Sequence, residues 1–122
     1  MKVPRSEEAC EELFYSWQAY LNSQGYKVTL GEDVLEDTPW RGMNSEAAKE
    51  NGLKGIASNA IPIQFRPMDK NPWRRALQDL FHEIKERNSM RDKGWGYRAA
   101  HKHASKAQYD EPTEAEIIQG GI

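Results

Sequence analysis

The sequence predicts an α+β protein, mainly helical, with an N-terminal amphipathic helix, a minimal two-strand element and a C-terminal helical hairpin. Three observations point there. Apolar residues recur at the three-and-four spacing of a helical face over 6–24 and again over 73–90. Tyr26-Lys27-Val28-Thr29-Leu30 alternates apolar and polar side chains around β-branched residues, as a half-buried strand does. Asp92-Lys93-Gly94 breaks the second helical run and a third follows it at once. At 122 residues the chain has room for one domain, which we expect over 1–108, with an acidic, loosely ordered tail over 109–122.

The elements follow in order. In the first helix, Cys10, Leu13, Phe14, Trp17, Tyr20 and Leu21 share one face. Ser6 supplies a cap, Glu7 and Glu8 suit the positive end of the helix dipole, and Gly25 closes it. After the strand at 26–30, Gly31 stops the run, and 32–42 reads as an exposed acidic loop whose Trp40 anchors it to the core. A helix of one to two turns is expected over 45–51, capped by Ser45. The segment 60–65 is apolar but holds Pro62, which confines it to an edge strand or an extended pass that could pair with 26–30. Asn71-Pro72 starts the next helix, with Trp73, Leu77, Leu80, Phe81 and Ile84 on its buried face. From 95 to about 108, Tyr97, Ala100 and Ala104 face one way, while Arg98, Lys102 and Lys106 lie at four-residue spacing on another side. The tail, from Tyr109 to the closing Gly120-Gly121, has room for one turn at 113–119.

Composition excludes several classes. One cysteine, Cys10, cannot build a disulfide framework or a cysteine-rich zinc module. A net charge of −2 with 30% charged residues fits neither a polyacidic mimic of nucleic acid nor a histone-like polycation. Residues 1–20 carry four glutamates instead of an apolar run, and no window approaches a membrane span, so we expect a cytoplasmic protein with no signal peptide and no membrane partner.

The distribution of charge says more than the total. Residues 1–65 hold six Lys and Arg against ten Asp and Glu, whereas 66–106 hold eleven against five. The hairpin over 72–107 is therefore the basic part. Its Arg74, Arg75, Lys85, Arg87, Arg91, Lys93, Arg98, Lys102 and Lys106, with Trp95 and Tyr97 beside the turn, combine phosphate-neutralising cations with aromatic surfaces on which bases stack. The competing reading is the solvated face of two helices. Of the four tryptophans, Trp17 and Trp73 are in phase with apolar neighbours and belong to the core. Trp40 and Trp95 follow no helical stripe and are candidates for contact, or, for Trp95, for locking the hairpin turn.

The run Arg91-Asp92-Lys93-Gly94-Trp95-Gly96-Tyr97-Arg98-Ala99-Ala100-His101-Lys102-His103, preceded by Leu77, Leu80 and Phe81, resembles the helical hairpin that ends many phage and bacterial helicases. The likeness covers 73–109. It implies a place in phage or mobile-element nucleic-acid metabolism. The chain lacks the turn proline of that module, has Ala107-Gln108-Tyr109 where Phe-Gly follows the second helix, and carries no ATPase motif. Residues 25–32 are also similar to an early strand of phage D-alanyl-D-alanine carboxypeptidase-type peptidases. Their zinc-binding His and Asp have no counterpart in 58–65, so the catalytic role does not carry over.

Other chemistry finds little support in the spacing. His101 and His103 lie about 200° apart on a helix and cannot aim at one ion, and nothing in the sequence brings His82 and Cys10 to them, so no metal or other cofactor is expected. Cys10 falls on the buried face, Glu32, Asp33, Glu36 and Asp37 lie in a solvated loop with no apolar pocket, and Gly52-Leu53-Lys54-Gly55 lacks the Lys-Ser/Thr end of a phosphate-binding loop. The expectation is a small non-enzymatic accessory protein of phage or mobile-element type that binds DNA or RNA through the basic hairpin. The alternative is a counter-defence inhibitor or adaptor that meets a host protein through Glu32, Asp33, Glu36, Asp37 and Trp40.

Overall fold

The computed structural model describes residues 1–119; residues 120–122, the end of the expected tail, lie outside the described residues. The order is α1 (Glu7–Ser23), β1 (Lys27–Gly31), α2 (Ser45–Glu50), β2 (Ala60–Gln64), α3 (Pro72–Arg91), α4 (Tyr97–Ala107) and α5 (Glu114–Gln119). This is the mainly helical α+β class the sequence predicts.

The Ser6 hydroxyl caps α1 by accepting from Ala9 N. Gly25, at a φ of 98°, lets Tyr26 N reach back to Leu21 O and close the helix. The two strands pair in parallel, Val28 opposite Ile61 and Leu30 opposite Ile63. Pro62 fits because alternate amides of β2 point to opposite sides. Phe65 N bonds Gly31 O on the β1 side, while Gln64 N bonds Arg41 O on the other, so the donor that Pro62 lacks falls away from β1.

The main core joins α1, the sheet and α3 through Phe14, Leu21, Val28, Ile61, Ile63, Leu77, Leu80 and Phe81. A second cluster, centred on Leu35, Met43, Ala47 and Ala48, takes in half-buried Trp40 and Tyr97, so Trp40 does anchor the acidic loop.

Four details differ from the sequence expectation. The cap of α2 is Asn44, whose Oδ1 accepts from Ala47 N at 3.0 Å, and Ser45 is the first helical residue. Asn71 makes no side-chain cap on α3; the Glu7 carboxylate reaches across from α1 and accepts from Trp73 N and Arg74 N, both at 2.8 Å. The anion thus sits at the positive end of the α3 dipole and holds two helices together.

The segment expected to be a loose tail is docked. Val3 N donates to Tyr109 O, Glu111 N to Met1 O, and Trp17 Nε1 to Glu111 Oε2, while Ile117 enters the main core. Finally, α3 is no half-solvated arm of a hairpin. Every residue from Ala76 to Ser89 is buried, because α1, α2, α4, α5 and β2 all pack on it.

Candidate functional site

A helix enclosed on all sides must bury its polar residues too, and α3 gathers several of them on one face. Asp79, His82, Glu83 and Glu86 follow the spacing that stacks side chains over successive turns. Opposite them α4 presents the small residues Ala100 and Ala104, with Tyr97, His101 and Gln108 beside them. Between these faces and the 39–43 segment lies a cavity of about 480 Å³.

Glu86 is the hub of the cavity. Its Oε2 lies 3.1 Å from His82 Nε2 and 2.9 Å from His101 Nδ1, and its Oε1 accepts from Asn44 Nδ2 at 3.1 Å. The same Asn44 amide donates to Glu83 Oε1 at 2.9 Å. His82 Nδ1 lies 3.1 Å from Gln108 Oε1. Asp79 accepts from Arg75 Nε at 3.0 Å through Oδ1, while its Oδ2 is buried with no hydrogen-bond partner.

The electrostatics follow from burial and crowding. Burial alone would lower the His82 imidazole, but the hydrogen bond to Glu86, the charges of Glu83 and Glu86, and Gln108 reverse that and hold it at about 9. The protonated ring then donates Nδ1–H to Gln108 and Nε2–H to Glu86. Burial, and after it the charge of Glu86, pushes the Glu83 carboxyl well up, and burial raises Asp79 against the pull of Arg75. The cavity therefore gathers three carboxyl groups and two imidazoles, and the proton affinities of Asp79, His82 and Glu83 among them are shifted, a pattern that marks functional sites more often than bulk core.

Three of these groups have the makings of a metal-ligand set, since His82, Glu86 and His101 offer ligand atoms that all lie within 4.8 Å of one another. His101 and His103 do not share a target, as their helical spacing predicts. The structure brings His82 to His101, which the sequence did not. His103 packs against Trp95 at 5.5 Å, and Cys10 lies apart, its thiol donating to Pro4 O. Asn44, Asp79, Glu83, Glu86 and Gln108 escaped sequence reasoning. Their one signal is the run of ionisable residues at 79, 82, 83 and 86, directly beside an apolar stripe that already claims one side of the helix.

The predicted basic residues do not form one surface. Arg74 and Arg75 begin α3 and Arg91 ends it, about 25 Å away along the axis at 1.5 Å per residue. Arg74 Nε donates to Pro4 O, and Arg75 is engaged by Asp79. Tyr97 lines the cavity instead of offering a stacking face to solvent. Lys85 and Arg87, expected among the phosphate-neutralising cations, are instead buried because other elements cover mid-helix α3, and they donate to Ala107 O and to the Tyr26 hydroxyl.

What the structure does bring together is the outer side of α4 and the turn before it. Arg98, Lys102 and Lys106 are exposed, and α4 contains no carboxylate. At the turn, where Gly94 has a φ of 70°, Trp95 is 39% exposed, with the Lys93 ammonium 5.3 Å from its ring centroid.

In the acidic loop, Glu32, Asp33, Glu36 and Asp37 are exposed around buried Leu35. The Gln64 side chain pins this loop, donating to Glu32 O and accepting from Leu35 N. No described helix is long and apolar enough to cross a membrane. No protein-family model, curated protein or solved structure matches the chain.

Proposed function

We propose that the protein binds nucleic acid through the outer face of α4, as a small accessory protein of phage or mobile-element type. The observation that carries this reading is the row Arg98, Lys102 and Lys106, exposed along a helix that has no acidic residue of its own. Four-residue spacing aligns the three cations along the helix, a geometry suited to successive phosphates. Trp95, beside the N-terminal end of that row, adds a ring for stacking on an unpaired base. The resemblance of 73–109 to the helical tail of helicases is consistent with the same role.

Anisotropy of labelled single-stranded and duplex DNA and RNA, titrated at two salt concentrations, tests the reading. Binding is expected to weaken steeply with salt. Replacing Arg98, Lys102 and Lys106 together by Ala should reduce the magnitude of the duplex-DNA salt slope by about 2 to 3, at roughly 0.9 per phosphate contact. Unchanged affinity in that triple variant rules the surface out.

A further inference from the structure

We propose that His82, Glu86 and His101 form a binding site for one divalent first-row transition ion, zinc above all. The two imidazoles and the carboxylate converge from two helices. Zinc bonds of about 2.0–2.1 Å in a tetrahedral arrangement separate neighbouring ligand atoms by about 3.3 Å. Glu86 Oε2 already lies 3.1 Å from His82 Nε2 and 2.9 Å from His101 Nδ1, close to that separation, and all three ligand atoms lie within 4.8 Å of one another, so the two imidazoles close toward each other around the ion.

The outer contacts also suit a metal site. Ligating histidines characteristically bond their second ring nitrogen to a carbonyl or carboxylate, and Gln108 Oε1 holds His82 Nδ1 in that way, leaving Nε2 turned to Glu86. The second oxygen of Glu86 is held by Asn44, itself fully buried.

Three protein ligands leave at least one coordination position to water, which makes this a site of the open kind. Two nitrogen donors and a single oxygen favour zinc, cobalt or nickel over magnesium or calcium, which require oxygen-rich shells.

Calorimetric titration of chelator-treated full-length protein with zinc chloride tests the proposal, with magnesium chloride as comparison and circular dichroism confirming that each variant is folded. One equivalent of zinc should bind, and magnesium should not displace it. His101→Ala, at a half-exposed position that folding tolerates, should weaken binding at least tenfold, and Glu86→Gln should do the same. Gln108→Leu should weaken it roughly 10- to 100-fold as a positioning residue, whereas His103→Ala should leave it unchanged. The Arg98, Lys102 and Lys106 triple variant should bind zinc normally, which separates this site from the nucleic-acid surface. Absence of a one-equivalent site, or His101→Ala binding as tightly as the parent protein, overturns the proposal.

Discussion

The Asn44 amide donates to Glu86 Oε1 at 3.1 Å, and that bond ties the first turn of α2 to the polar face of α3. The same side chain caps α2 through its oxygen. Asn44→Ala therefore removes a helix cap and strips a partner from two buried carboxyl groups, a loss of about 2–4 kcal/mol. Asn44→Asp keeps the capping oxygen but sets a third carboxylate against Glu83 and Glu86, and should also destabilise. Urea denaturation of both variants checks this; an Asp variant as stable as the parent would show that the cap alone matters.

Glu7 is expected to matter more to α3 than Asn71 does. Glu7→Ala leaves two amides of the first turn without their acceptor and should lower stability by about 1–2 kcal/mol. Asn71→Ala, which removes no side-chain cap bond, should change it by less than about 0.5 kcal/mol. The paired denaturation midpoints decide the matter.

These two caps show what the sequence conveys and what it withholds. Periodicity located α1, α3 and α4 to within a residue or two, because a helix that packs on a core repeats its apolar residues wherever it sits in the fold. It also placed Leu77, Leu80, Phe81 and Ile84 on the buried face. A cap supplied from 66 residues away leaves no local trace, and neither does the docking of 109–117, where Ile117 is the one side chain that joins the core. The polar cavity stayed hidden for a related reason. Charged residues at 79, 82, 83 and 86 read as a solvated face unless it is known that other elements cover every side of the helix.

Arg41 and Asp69 give the protein a defined acid response. The bidentate hydrogen bond from Arg41 holds the Asp69 carboxyl below its ordinary value of 3.8, with burial opposing it. A depressed folded-state value means that the stabilisation is present above the ordinary carboxylate range and is lost as pH falls through the folded-state value. The parent protein should exceed Asp69→Asn in stability by about 1 kcal/mol near neutrality. That difference should shrink toward zero in acid, as thermal melts across a pH series will show.

Cys10 should resist thiol reagents in the native protein. It is fully buried, donates to Pro4 O, and its thiol is pushed up first by burial and then by the charge of Glu7. Alkylation followed by mass spectrometry should find it unmodified until denaturant is added. Rapid native labelling would mean that the 1–6 segment opens away from α1.

The enclosure of α3 has a consequence for how this protein tolerates change. A surface helix accepts substitutions on its wet side and resists them on its dry side, so a mutational scan of it shows stripes. With every position from Ala76 to Ser89 covered, α3 has no wet side over those four turns. A scan should instead return a solid block of intolerance there, with apolar positions rejecting polar residues and Asp79, His82, Glu83 and Glu86 rejecting apolar ones. Variation that leaves the fold intact would be pushed outward, to the exposed faces of α1 and α4 and to the loop over 32–37.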